Sequence, residues 1–245
     1  MPCFVQKLLL LAAIAISAGA FSHTFDDIPH LKVCGDAIDW RPYTYQEGDQ
    51  AGGFDAEVLE RVLTQHGISY EFVITSWSRC LKGTKNGSYD LSVSASYNEA
   101  REQDYLYTEW YYTITPYYLF STKRFPDGLF IADSTELENY RVCGNHNYNY
   151  SNFGLAQVDV SAHTIQQSLN QLETGECDVY LSWEEILTGN KSPRGESYLG
   201  KEIMSMAMPN MEPHKFYMLI SRQLESAQTL KQLLDEQFIQ IRELH

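Results

Sequence analysis

Arg101 follows a short alternating stretch, Leu91-Ser92-Val93-Ser94-Ala95-Ser96, that ends in hydroxyls. A guanidinium presents a planar fork of donors that matches a carboxylate, and seryl hydroxyls add neutral donors beside it. The chain carries 18 Lys and Arg against 32 Asp and Glu, so a basic residue just past a strand end stands out. Open α/β sheets take small ligands at the carboxyl ends of their strands. Ser94, Ser96 and Arg101 are therefore expected to hold an anionic group such as an amino-acid carboxylate. The alternative is a surface ion pair of Arg101 with Glu99 or Glu102. Trp40 and Trp77 lie in turn-rich segments and fit a sandwich for an apolar stem or a cation, with core packing as the other reading. Asp36 and Asp39 offer acids for an amino group, or caps for a turn.

The elements around these residues alternate. Leu31 to Cys34 reads as a strand. Phe54 to His66 carries Phe54, Val58, Leu59, Val62 and Leu63 at helical spacing and stops at Gly67. Tyr70 to Thr75 is a strand, Trp77 to Asn86 a helix closed by Gly87, and Leu91 to Ser94 a third strand. Alternation of this kind predicts a parallel sheet. Tyr111 to Ser121 is β-prone with Pro116 inside it, which argues against a central strand and for a crossing between two lobes. The pattern then restarts. Arg141-Val142-Cys143-Gly144 echoes Lys32-Val33-Cys34-Gly35, and Gly175-Glu176-Cys177-Asp178-Val179 echoes Gly87-Ser88-Tyr89-Asp90-Leu91. Ile165 to Leu172 is helical, Phe216 to Ser221 is a strand, and Ser226 to Leu244 is a terminal helix with Leu230, Leu233, Leu234, Ile239 and Ile241 as its apolar set. Met204, Met206, Met208 and Met211 mark a second connection or core filler.

Lys7 followed by the apolar run Leu8 to Ala20, ending Ala18-Gly19-Ala20, reads as a signal peptide over 1–20 cleaved after Ala20. The run is too short to span a bilayer, which takes about 20 apolar residues. The mature chain is expected to be exported to the periplasm and soluble. A net charge of −14 argues against nucleic acid and anionic membrane surfaces as partners. Cys34, Cys80, Cys143 and Cys177 follow the signal segment, an even number that suggests disulfides with three pairings open. No zinc-type spacing, His-Glu-x-x-His, Gly-x-Ser-x-Gly or phosphate-binding Gly-Lys loop is present, so neither cofactor nor metal is expected.

Several landmarks in order resemble the third family of bacterial extracellular solute-binding proteins, the amino-acid-binding type. They are Trp40-Arg41-Pro42-Tyr43, Gly53-Phe54-Asp55-Ala56-Glu57, Ser76-Trp77-Ser78-Arg79, Gly87-Ser88-Tyr89-Asp90, and Arg101 followed by Tyr107-Thr108 and Tyr111-Tyr112. The resemblance implies a type II periplasmic-binding-protein fold, two α/β lobes joined by a two-segment hinge. Lobe one would span 26–112 and return over 213–245, and lobe two would span 117–206. The hinge would lie at 113–116 and 206–213. It also implies Trp40 and Trp77 on the two faces of the ligand, Arg101 on its α-carboxylate, Ser94 and Ser96 near hydroxyl donors, and Asp178 or Glu184 as the second-lobe acid for an amino group. Asn98-Glu99-Ala100-Arg101 stands where the family has Thr-Pro-Glu-Arg, and Asn145 to Tyr150 replaces a Gly-x-Ser/Thr turn. With two lobes, disulfides within lobes are expected, Cys34 with Cys80 and Cys143 with Cys177, because a cross-lobe bond would hinder closure. The implied function is capture of a small solute, an amino acid or related carboxylate, by a monomer that serves an ABC importer or a membrane sensor. The competing reading is a periplasmic enzyme of the same fold, a dehydratase acting on a cyclic amino-acid precursor.

Overall fold

The computed structural model describes residues 25, 28–191, 195, 197–200 and 202–243. The expected signal peptide over 1–20 lies outside the described residues. Among the described residues no helix is long and apolar enough to cross a membrane.

The chain runs through β1 (Leu31–Asp36), a short hairpin of β2 (Tyr45–Glu47) and β3 (Gln50–Gly52), α1 (Phe54–Leu63), β4 (Tyr70–Thr75), α2 (Trp77–Asn86), β5 (Leu91–Ser96), β6 (Tyr105–Tyr107) and β7 (Tyr112–Ile114). It continues through β8 (Pro116–Ser121), β9 (Val142–Asn145), β10 (Asp159–Ala162), α3 (Ile165–Thr174), β11 (Val179–Trp183), α4 (Glu184–Gly189) and β12 (Ile203–Ala207), then returns through β13 (His214–Ser221) and α5 (Ala227–Glu243).

Local sequence explains these elements. Along α1, Val58, Leu59, Val62 and Leu63 are buried at helical spacing, a short 3-10 turn follows, and Gly67 stops it at φ 73°. Gly87 stops α2 in the same left-handed conformation. Gly53 precedes α1 at φ 101°, and a Cβ there would lie 2.3 Å from the Tyr43 carbonyl oxygen, so only glycine fits.

Two sheets result. The first has the order β4-β1-β5-β13-β6, with β7 also on β13. Here β1 is parallel to β4 and β5, and β13 is antiparallel to its neighbours. The second sheet has the order β10-β9-β11-β8-β12, with β9 parallel to β10 and β11 and with β8 antiparallel. Each sheet thus has a parallel trio beside an antiparallel fourth strand, and the sequence echo has become architecture. Even the carboxylates match: Asp90 accepts from the Lys32 backbone N–H at 2.8 Å, and Asp178 from that of Arg141 at 3.1 Å. Cys34 bonds Cys80 and Cys143 bonds Cys177, each pair within one half.

Three expectations change. Pro116 opens β8, an interior strand, because the first residue of a strand tolerates a missing N–H. The methionine segment is partly the edge strand β12, with Met204 exposed and Met208 buried beyond it. On α5 the buried set includes Phe238 and leaves Ile239 41% exposed, because one residue step turns a helix by about 100°.

Candidate functional site

The carboxyl ends of β1, β5 and β11 converge with the loop after β9 on a cavity between the two sheets. It holds about 590 Å³ of space free of protein atoms, part of it open to solvent. The first half contributes Asp36, Trp40, Thr44, Trp77, Val93, Ser94, Ser96 and Arg101, and the return strand β13 adds His214 and Phe216. Asn147, Tyr148, Asn149 and Trp183 line it from the other half.

Arg101 sits at the end of a 3-10 turn, Glu99–Arg101, whose N-terminus is capped by the Asn98 side chain accepting from the Ala100 N–H at 3.0 Å. The guanidinium donates to the Ser96 carbonyl at 3.3 Å and lies 5.8 Å from the Trp77 ring centroid. Among the described residues it makes no ion pair with Glu99 or Glu102.

Asp36 ends β1 and accepts from the backbone N–H groups of Ile38 at 3.3 Å and Trp77 at 3.1 Å. No Lys or Arg pairs with it among the described residues. Burial pushes its carboxyl up to about 6, against the pull of those backbone bonds.

Trp40 is buried, and its indole N–H donates to the Tyr112 hydroxyl at 3.1 Å. That hydroxyl is 2.7 Å from Ser94 Oγ, which donates to Asp55 at 2.5 Å. Thr44 and Tyr111 also donate to Asp55. Burial pushes the Asp55 carboxyl up to about 6, and the three hydroxyls pull it back. Asp55 is therefore the anchor of a buried relay that fixes the Trp40 ring. The ring meets Tyr148 edge-on at 4.9 Å, Trp183 at 5.6 Å and Phe216 at 5.7 Å.

The expected site residues are thus partly united. Trp40, Trp77, Ser94, Ser96 and Arg101 line one cavity. Ser94, at φ 53°, spends its hydroxyl hydrogen on Asp55. Ser96 accepts from the Asn149 amide at 3.2 Å, and Asn149 also reaches the Tyr97 carbonyl at 3.1 Å, tying the two halves across the cleft. Asp178 does not line the cavity: it immediately precedes β11, bonded by Arg141 at 2.8 Å and paired with Arg124 at 3.3 Å. Those cations hold its carboxyl below the usual range. Glu184 is exposed and likewise off the cavity. The acid that lines it is Asp36. Trp183, His214 and Asn149 were not singled out from sequence. The echo could have found Trp183, since aligning Asp178 with Asp90 places it opposite Ala95 at a strand's carboxyl end; nothing in the sequence marked His214.

Residues 31–140 match the model of the bacterial extracellular solute-binding proteins, family 3. A curated protein of Campylobacter jejuni named "Probable histidine-binding protein" is 30% identical over 90 residues, 36% of this chain and 35% of that protein. The matched stretch therefore spans about a third of that relative's length. A Streptococcus pneumoniae substrate-binding protein of an ABC uptake transporter, solved with bound histidine, superposes with a TM-score of 0.66 at 15% identity, over 87% of each chain. A histidine kinase sensor domain described as similar to periplasmic binding proteins superposes with a TM-score of 0.68 at 16% identity, covering 89% of this chain and 92% of that one. The resemblance read from the residues holds, and the fold is the type II periplasmic-binding-protein fold.

Proposed function

We propose that this chain is a family 3 extracellular solute-binding protein that closes its two lobes on a small amino acid. The observation that carries this reading is a pair of opposite charges, Arg101 and Asp36, lining one aromatic-walled cavity with no salt-bridge partner of their own among the described residues. Arg101 takes the solute's carboxylate, with Ser96 beside it. Asp36 takes an N–H-bearing group, and Trp40 and Trp77 supply flat apolar walls. The histidine named for two of the similar proteins fits this set, since it carries a carboxylate, an amine and a ring.

Closure turns on the crossings near 113–116 and 206–213, and brings Asn149 onto Ser96 and Tyr97. The monomer works in the periplasm and presents its closed form to an ABC importer or a membrane sensor. The likeness to both an importer's binding protein and a sensor domain supports that pair of partners.

The test is a thermal-shift screen of the mature protein with L-histidine, L-arginine, L-glutamine, simple amines and organic acids, beside Arg101→Ala. A ligand that binds only the folded state raises apparent stability by mass action. An amino acid is expected to raise the melting temperature of the native protein and to fail with the variant. A shift with amines alone, equal in both proteins, would overturn the carboxylate role. Chromatography of the incubated solute tests the enzymatic alternative, which predicts turnover where capture predicts unchanged recovery.

A further inference from the structure

His214 opens β13, is 6% exposed and lines the cavity. Its Nδ1 accepts the indole N–H of Trp183 at 3.0 Å. An indole nitrogen only donates, so Nδ1 must carry the lone pair and the ring proton must sit on Nε2. Burial holds the ring's pKa down to about 4, which keeps it neutral near pH 7. Nε2 is buried and has no hydrogen-bond partner among the described residues. Buried N–H groups are almost always paired, and an orphan on a residue that lines the cavity leaves an acceptor to be supplied. The bond that sets this tautomer also joins the halves, because Trp183 belongs to the second sheet and His214 to the first.

We propose that His214 is a specificity-determining residue, a fixed Nε2–H donor positioned by Trp183, and that the cleft selects an amino acid whose side chain offers a neutral acceptor. This rests on the reading of the cleft as an amino-acid site and sharpens its solute class. A carboxamide or an unprotonated imidazole carries a donor for Asp36 and an acceptor for His214 on one planar group that fits between aromatic rings. A lysine ammonium carries donors alone and leaves the His214 N–H unsatisfied.

The experiment joins spectroscopy with binding. Nitrogen-15 spectra of the histidine-labelled native protein, assigned with His214→Phe, are expected to show His214 as the Nε2–H tautomer. Trp183→Phe is expected to release it into a mixture of tautomers, an effect that loss of packing alone does not predict. L-glutamine or L-histidine should bind the native protein about tenfold tighter than His214→Phe, the usual scale for one hydrogen bond. His214→Gln, which keeps a donor, should recover part of the loss, and L-lysine should bind weakly and equally to both. A Nδ1–H tautomer in the native protein, tighter binding of L-lysine, indifference of all three probes to His214→Phe, or no binding by any of them would overturn the assignment. Failure of the amino-acid reading looks different: the bound solute would then be insensitive to Arg101→Ala.

Discussion

Asp36 and Asp55 are two carboxyls with similarly raised pKa values and different duties. Both are pushed up to about 6 by burial. Asp55 has three hydroxyl donors and serves the framework, whereas Asp36 lines the cavity with two backbone donors. A carboxyl raised from 3.8 to about 6 binds its proton more tightly when folded. That proton stabilises the fold fully below about pH 4, and the contribution is lost as pH rises through about 6. In the absence of solute, Asp36→Asn should flatten part of the fall in stability between pH 4 and 7, leaving the share owed to Asp55. Under the proposed reading solute binding would run the other way, because an N–H group bound at Asp36 would favour the carboxylate. Affinity for the preferred amino acid should rise as pH passes upward through about 6, and titration calorimetry with Asp36→Asn should show a weaker and flatter profile. An unchanged profile in the variant would remove Asp36 from the site.

At the scale of elements, the repeated strand-helix unit explains what could be read in advance. The apolar spacing of α1, the glycine stops at Gly67 and Gly87 and the restart at Arg141 are local signals, and each became the expected element. Trp40, Trp77 and Arg101 were legible because they stand in turns or just past strand ends. Asp178 stands away from the cavity: its type suited an amino group, while its echo of Asp90 already pointed to a role just ahead of a strand. His214 was hidden because its meaning comes from Trp183, 31 residues away in sequence. The two disulfides tie each unit internally. Closing loops of 46 and 34 residues removes unfolded-chain entropy worth about 4 kcal/mol each in the chain-entropy account. Replacing Cys34 and Cys80 together by Ser should lower the unfolding free energy by up to about that amount in urea titrations, while the Cys143–Cys177 pair remains. No loss of stability would mean that the bond adds nothing beyond packing.

At the scale of the molecule, the halves meet through contacts of single groups. Asn190 reaches the Arg41 carbonyl at 3.3 Å, and Gly189 lies so near that a Cβ there would stand 2.7 Å from the same oxygen. Backbone on both sides cannot yield as a flexible side chain can. Gly189→Ala should therefore wedge the closed form without touching the cavity, and the preferred amino acid should bind more weakly while circular dichroism stays native. Equal affinity would place this contact outside the closing motion. The crossings differ in a way that bears on that motion. Thr115 is gripped by the second half at every polar atom: Glu185 takes its N–H at 2.8 Å and its hydroxyl at 2.9 Å, and the Glu184 N–H donates to its carbonyl at 3.0 Å. The next residue back, Ile114, is paired with His214 in the first sheet. On the other crossing, Met208 is tied to Pro116 at 2.8 Å, and the first sheet resumes only at His214. The first crossing is thus held tightly on both sides, whereas the second runs from Pro209 to Pro213 with the Asn210 amide donating to the Ala132 carbonyl at 3.2 Å. In the closure proposed above, the halves would swing like a door on one tight hinge: the first crossing would dictate the axis, and the reach of the second would dictate how wide the door can stand.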